Sequence, residues 1–141
     1  MRWALDTTTL SALMKGQAMA IQRLRAARRR DVLLPQPVLA EVAYGLARMP
    51  VSRARRTLQE RFSWFARELP RADWSDEVSA RFGWIKAELE RRGARLEDFD
   101  VAIAAHALVH DATLVTSNRK HMQRVPGLAI ADWTTGNPAA D

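Results

Sequence analysis

Short apolar segments alternate along this chain with longer helical patterns, and this alternation constrains the fold more than any other feature. Three segments, at 2–6, 31–34 and 113–116, are short, largely apolar and bounded by polar residues or proline, as buried parallel strands are. Helical patterns lie between and after them, and no hairpin turn signal joins two of them. Strands separated by helices predict an α/β domain with a mainly parallel sheet.

The remaining elements follow from periodicity and from end signals. The clearest helix is predicted at 75–92, where Ser75 is a candidate N-cap, an apolar stripe lies on one face and Gly93 follows the last turn. A weak strand is predicted around 67–72 and an edge strand at 128–130, which gives four or five strands flanked by helices. The predicted helices cover 8–14, 18–29, 37–48, 53–66, 75–92 and 98–110.

Length and composition predict one domain. A chain of 141 residues that is 48% hydrophobic can bury a single sizeable core. We assign this domain to residues 1–133 and expect 134–141, which are small and polar, to be a loose tail. The chain contains no cysteine, so disulfides and cysteine-based zinc sites are excluded, and a cytoplasmic location fits best. No apolar run approaches the roughly 20 residues of a membrane span.

The basic side chains are compatible with an RNA partner but do not require one. The formal net charge is +6, and nearly all the cations are arginine, which binds phosphate through paired hydrogen bonds and stacks on bases. The basic run at 23–30 could hold phosphates or could be a solvated helix end. The five tryptophans are scattered along the sequence, so we interpret them as packing residues and not as a base-stacking platform.

Polar residues follow the predicted strands where a ligand site is expected. In open parallel sheets, ligands bind beyond the carboxyl ends of the strands. Asp6 ends the first strand, Glu41 lies early in the helix after the second, and Asp100 lies in the first turn of the helix from 98. Asn118 follows the strand at 113–116. The topology can therefore bring these four side chains to one edge.

Each acid also has a structural explanation. Asp6 could cap the helix that begins in the threonine run 7–9, and we assign Asp98 a capping role. Glu41 is harder to explain in this way, because its helical neighbours three and four residues away provide no cation. Asp100 similarly lacks a local cation, although the start of a helix favours its charge.

An acidic cluster of this kind requires a compensating cation. Two carboxylates about 4 Å apart repel by about 4 kcal/mol at an effective dielectric of 20. Oxygen ligands select Mg²⁺ or Mn²⁺, which polarise a phosphodiester and activate water, so the cluster predicts a metal-assisted nuclease. His106 and His110 have a spacing that could suit a metal, but we assign them structural roles because no third ligand is evident.

Four blocks of the sequence resemble the successive blocks of VapC-type PIN-domain toxins. They occur in order and together extend over nearly the whole chain. The blocks are Leu5-Asp6-Thr7-Thr8-Thr9-Leu10, Leu39-Ala40-Glu41-Val42-Ala43-Tyr44-Gly45-Leu46, residues 99–108 (FDVAIAAHAL), and Leu114-Val115-Thr116-Ser117-Asn118 continuing through 125–128 (VPGL) to Asp132-Trp133.

The resemblance implies a PIN-like fold, cleavage of structured RNA such as tRNA or rRNA, a small cognate antitoxin and a homodimer. It assigns Asp6, Glu41 and Asp100 as the acids that bind Mg²⁺ or Mn²⁺, and Asn118 as the residue that completes the shell. Thr116 and Arg119 are candidate substrate-binding residues in the last block. Asn118 is neutral, and His121 stands where relatives often carry a carboxylate, so the number of metal ions remains open.

The leading hypothesis is therefore a metal-dependent endoribonuclease that acts as the toxin of a toxin–antitoxin pair. We expect products with 5′-phosphate and 3′-hydroxyl ends. One alternative is a non-catalytic RNA-binding or scaffold PIN domain, since a fourth acid is missing. Another is a PIN-fold nuclease that acts on DNA, because nothing in the sequence recognises a 2′-hydroxyl.

Overall fold

Five parallel strands form the central sheet in the computed structural model of this chain, which describes residues 1–136. The strands are β1 (Arg2–Leu5), β2 (Val32–Pro35), β3 (Arg71–Ala72), β4 (Ala112–Val115) and β5 (Ile130–Ala131). Their spatial order is β3-β2-β1-β4-β5, and all neighbouring strands run parallel. The first strand of the sequence therefore lies at the centre of the sheet.

A helix lies in every connection between successive strands, as parallel pairing requires. The helices are α1 (Thr7–Met14), α2 (Ala18–Ala26), α3 (Gln36–Ala47), α4 (Arg53–Glu68), α5 (Asp76–Arg91), α6 (Asp98–Val109) and α7 (Arg119–Met122), with a 3₁₀ turn at Arg29–Asp31. The predicted α/β architecture with a mainly parallel sheet is confirmed.

Several predicted boundaries were wrong. The helix predicted at 18–29 ends at Ala26, because the chain must leave the helix to begin β2 at Val32, which pairs with Trp3 of β1. The weak strand predicted around 67–72 is reduced to β3, since α4 extends further than predicted. The last strand lies at the edge as predicted, but at Ile130–Ala131. Helix α7 was not predicted because four residues are too few to show a period.

Helix α6 is buried along most of its length. Every residue from 101 to 107 is buried, and four of these seven are alanine. A helix that is apolar all round belongs inside a protein, and small side chains let it approach the sheet and α5 closely. Its 12 residues are fewer than the roughly 20 of a bilayer span, and within residues 1–136 no helix has the length and apolarity to cross a membrane.

The tryptophans behave differently from the prediction. Trp3 and Trp133 form an edge-to-face pair with ring centroids 5.6 Å apart, and Trp133 is 1% exposed. By contrast, Trp64, Trp74 and Trp84 are 41%, 45% and 51% exposed. The interpretation of all five as scattered packing residues was therefore only partly right.

The segment predicted to be a loose tail begins within the described residues. Thr134 donates hydrogen bonds from its backbone N–H and its hydroxyl to Asp132 Oδ1, at 2.8 and 2.6 Å. Gln17 Nε2 donates to the carbonyl oxygen of Thr134 at 3.3 Å. Residues 137–141 lie outside the described part of the chain, so the looseness of the tail stays a prediction there.

The carboxyl ends of the two central strands are joined by hydrogen bonds. The Asp6 N–H donates to the carbonyl oxygen of Val115 at 3.1 Å, and the buried Thr9 hydroxyl donates to the same oxygen at 2.8 Å. Asp6 and Thr116, the residues that follow β1 and β4, are thereby held side by side. This junction fixes the edge of the sheet at which the acids lie.

We expect Thr9→Val to destabilise the protein by about 1 kcal/mol, because it removes one buried hydrogen bond without changing side-chain shape. The melting temperature should fall by about 3 °C for a domain of this size, as measured by circular dichroism. The matched control is Thr113→Val in β4, a half-buried residue whose hydroxyl forms no hydrogen bond within residues 1–136. Equal melting temperatures for the two variants would contradict this account of the junction.

Candidate active site

The carboxylates of Asp6, Glu41 and Asp100 face a common region at the carboxyl edge of the sheet. Asp6 follows β1, Glu41 lies in the second turn of α3, and Asp100 lies in the first turn of α6. Burial raises the pKa of Asp100, and the negative charges of Glu41 and Asp6 raise it further. The three acids that the sequence predicted to lie together are therefore electrostatic neighbours.

Asp6 combines a structural role with membership of this cluster. Its side chain caps α1, since Oδ1 accepts hydrogen bonds from the Thr9 N–H at 2.9 Å and from the Thr8 hydroxyl at 2.7 Å. The residue is 3% exposed. Burial raises the pKa of its carboxyl, while hydrogen bonds from Thr116, Thr8 and Thr9 act in the opposite direction. Charge on Asp6 is thus costly to bury and only partly compensated.

Threonine hydroxyls connect Asp6 to the segment after β4. Thr8 donates to Asp6 and accepts from the Ser117 N–H at 3.1 Å, while Thr116 Oγ1 accepts from the Asn118 N–H at 2.9 Å. Thr116 is fully buried and also hydrogen bonds with Asp6. The Thr116 hydroxyl therefore positions Asp6, and the substrate-binding role of Thr116 stays a prediction.

Thr7 positions the second acid. Its hydroxyl donates to Glu41 Oε1 at 2.6 Å, across 34 residues of sequence. Sequence analysis missed the roles of Thr7 and Thr8, although the threonine run directly after Asp6 was a visible signal that we interpreted only as the start of a helix.

Asn118 lies beside Asp100 at the mouth of an open groove. Its Oδ1 accepts a hydrogen bond from His121 Nδ1 at 2.5 Å. Arg119, the other predicted substrate contact, is half-buried, and its Nη1 has no hydrogen-bond partner within residues 1–136. Asn118 thus shares a groove with Asp100, and the site roles of Asn118 and Arg119 stay predictions.

Asp98 is neither a helix cap nor a member of the cluster. The N-cap of α6 is Glu97, and Asp98 is the first helical residue. Its Oδ1 pairs with Lys86 Nζ at 3.0 Å, and its side chain is 62% exposed. The capping role predicted for Asp98 was wrong, because the helix begins at Asp98 itself, one residue earlier than a cap at this position requires.

The three carboxylates are ligands that suit a hard divalent cation, but they are not already arranged around one. In the described residues, no Lys or Arg forms an ion pair with Asp6, Glu41 or Asp100, although His121 opposes the rise in the pKa of Asp100 that burial and the two carboxylates cause. The three carboxylates offer oxygen ligands of the kind that Mg²⁺ and Mn²⁺ prefer. Yet no three acidic or histidine side chains in residues 1–136 lie close enough to hold an ion as they stand.

The histidines on α6 lie at the other end of that helix from Asp100. His106 is fully buried, its Nδ1 is 2.7 Å from the carbonyl oxygen of Ala102, and Trp74 packs edge-on against its ring at a centroid distance of 5.3 Å. Burial lowers the pKa of His106 and favours the neutral ring. These contacts agree with the structural role predicted for His106.

Comparison with known proteins places the chain in a family. A model of the PIN domain matches residues 4–128. Ribonuclease VapC2 of Rickettsia felis is 32% identical over 76% of this chain and 78% of its own length. The tRNA(fMet)-specific endonuclease VapC of Salmonella typhimurium is 26% identical over 94% of this chain and 98% of its own length.

A solved structure shares the whole fold. The crystal structure of VapBC2 from Rickettsia felis bound to a DNA fragment from their promoter contains a chain that matches with a TM-score of 0.84 and 29% identity. The match covers 94% of this chain and 99% of that one. The fold and family predicted from the sequence are confirmed, and the chain belongs to the PIN-domain family.

Proposed function

We propose that this protein is the toxin of a toxin–antitoxin pair and acts in the cytoplasm as an endoribonuclease that depends on Mg²⁺ or Mn²⁺. The observation that carries the proposal is the group formed by Asp6, Glu41 and Asp100, which have no Lys or Arg partner within residues 1–136. Burial raises the pKa of Asp100, and the charges of Glu41 and Asp6 raise it further. Such a group is costly unless it binds a cation. The names of the relatives, a ribonuclease and a tRNA endonuclease, support RNA as the substrate.

Asp6, Glu41 and Asp100 would hold the metal, with Asn118 beside them. When bound, the ion would supply an activated water and would neutralise charge on the phosphodiester under attack. The chain's own contribution is orientation: Thr8 and Thr116 hold Asp6, and Thr7 holds Glu41. Carboxylates that are already held by hydrogen bonds, as Asp6 and Glu41 are, would lose little conformational freedom on binding the ion.

A protein antitoxin is the proposed partner, because the similar crystal structures from Rickettsia felis and Salmonella typhimurium are of VapBC bound to DNA. We also propose a homodimer on the basis of the family resemblance. Two alternatives remain, an RNA-binding PIN domain without activity and a nuclease for DNA. Incubating the protein with total RNA and with single-stranded DNA, with Mn²⁺ or with a chelator, separates the three.

Asp100→Asn should reduce RNA cleavage at least ~100-fold, or about 3 kcal/mol in the activation barrier, because it removes a charged metal ligand while keeping side-chain size. Initial rates on a radiolabelled RNA at saturating Mn²⁺ measure the loss. Asp98→Asn is the matched control, since this neighbouring acid is paired with Lys86. Normal cleavage by Asp100→Asn would remove Asp100 from the site.

The same substitution should raise the stability of the metal-free protein. The folded state raises the pKa of Asp100 above 3.8, so the ionised side chain lowers the free energy of unfolding. This loss of stability is absent below the unfolded pKa and complete once the pH has risen through the folded pKa. The melting-temperature advantage of Asp100→Asn over wild type in chelator should therefore be largest at pH 7 and should vanish as the pH falls towards 3.8. A constant difference across that range would contradict repulsion as the cause.

Asn118→Asp should have the opposite effect. The added charge should tighten Mn²⁺ binding, measured by calorimetry, and should lower the metal-free melting temperature. Because His121 hydrogen bonds with this side chain, the experiment is repeated in a His121→Gln background, which removes the imidazole as a compensating partner. If Asn118→Asp changes neither quantity in either background, the metal lies elsewhere.

Expression of the chain alone in bacteria should arrest growth, because a ribonuclease without its inhibitor attacks cellular RNA. Colony counts after induction measure the effect, and Asp100→Asn produced at the same soluble level is the control. Harmless accumulation of folded wild-type protein would count against the toxin assignment, even if purified protein cleaved RNA.

A further inference from the structure

An open groove of about 630 Å³ leads away from the proposed metal site. Asp100 and Asn118 line it together with Arg95 and Arg124. Any RNA strand whose phosphodiester lies at the carboxylates must continue over the adjoining surface. The groove is therefore in a position to hold the nucleotides next to the cleaved bond.

On the basis of the proposed nuclease function, we propose that Arg95 and Arg124 form a subsite that binds the phosphates of the RNA backbone beside the scissile bond. Guanidinium groups suit this task because their fixed, forked donors match the oxygens of a phosphate. The subsite would supply affinity and would place the strand over the metal site. It would not select sequence, since phosphates are the same at every nucleotide.

The two arginines are held together by the chain itself. Arg95 lies in the link between α5 and α6, and Arg124 lies just after α7. Arg124 Nη1 donates to the carbonyl oxygen of Arg95 at 2.9 Å. This bond uses one of the five donors of the guanidinium group, so Arg124 is positioned while most of its donors stay free for a ligand.

Neither arginine forms an ion pair within residues 1–136, whereas nearby cations do. Arg91 and Arg92 both pair with Glu88, at 2.6 and 3.1 Å. Three acids line the groove: Asp98 pairs with Lys86, Asp100 belongs to the proposed metal site, and Glu97 forms no ion pair within residues 1–136. Arg95 and Arg124 are the two arginines of the groove, and both are left without an acidic partner in the described residues.

The basic run at 23–30, which the sequence suggested as a phosphate-binding segment, is less suited to this role. Arg29 pairs with Glu68 at 3.2 Å and lies over the ring of Trp64 at 5.6 Å. Arg25 and Arg29 line a different, largely apolar cavity between α2 and α4. Neither faces the groove that leads from Asp100.

The test measures RNA binding by a variant that cleaves slowly, and cleavage by the wild-type protein is measured separately. Binding of a labelled single-stranded RNA to Asp100→Asn protein with Mn²⁺ is followed by fluorescence anisotropy over a range of salt concentrations, since slow cleavage by this variant leaves the RNA intact during the measurement. Adding Arg95→Gln or Arg124→Gln should weaken binding about tenfold each. The pair should reduce the slope of log affinity against log salt by about 1.4, or about 0.7 for each lost phosphate contact.

Matched controls separate charge from structure. Arg92→Gln removes a cation that is paired on α5 and should leave affinity and slope unchanged. Arg124→Lys keeps the charge and should retain most of the salt slope, which a purely structural role for Arg124 would not predict. Arg95→Gln keeps the backbone carbonyl oxygen of residue 95, to which Arg124 donates its hydrogen bond. This variant therefore tests the subsite even if Arg124→Gln alters folding.

The outcomes distinguish this proposal from the proposed function. If wild type fails to cleave RNA with Mn²⁺, the nuclease function itself is wrong. If wild type cleaves RNA but the double variant binds with unchanged affinity and slope, or the Asp100→Asn parent binds no RNA, the subsite proposal is overturned. A double variant that loses affinity only for a protein antitoxin would also overturn it, because the groove would then belong to that partner.

Discussion

The arrangement of this protein depends on one buried carboxylate at the end of the central strand. Asp6 ends β1, caps α1 and donates its N–H to β4. Burial raises the pKa of Asp100, and the charges of Glu41 and then Asp6 raise it further. Because three elements meet at Asp6, the fold determines the position of this carboxylate before any ligand arrives.

Threonine hydroxyls turn this junction into an ordered site. Thr7 and Thr8 are successive residues at the start of α1, yet one holds Glu41 and the other holds Asp6 and the segment after β4. Short hydroxyl side chains can orient a carboxylate and leave its charge in place, whereas a lysine or arginine would neutralise that charge. The protein therefore retains electrostatic repulsion in the site, and the proposed metal would relieve that repulsion on binding. The charges that the proposed metal site requires therefore lower the stability of the metal-free protein.

Much of the fold and the three acids could be predicted from the sequence, because apolar alternation identifies strands and parallel sheets collect ligands at their carboxyl ends. Contacts between distant residues could not be predicted. The bond from Thr7 to Glu41 depends on how α1 and α3 pack, and the burial of Thr116 depends on both neighbours of β4. Helix α7 is too short to show a period, and Arg95 and Arg124 lie in connecting segments that share no pattern.

The central position of β1 has a consequence for how the protein is made. β1 is synthesised first, but β4, its neighbour on one side, follows more than 100 residues later. Asp100 and the segment that buries Asp6 arrive with β4, so a ribosome-bound chain lacks an assembled site until synthesis is nearly complete. A nascent chain of this topology therefore carries the parts of the proposed site separately for most of its synthesis, and the site can assemble only at the end of that interval.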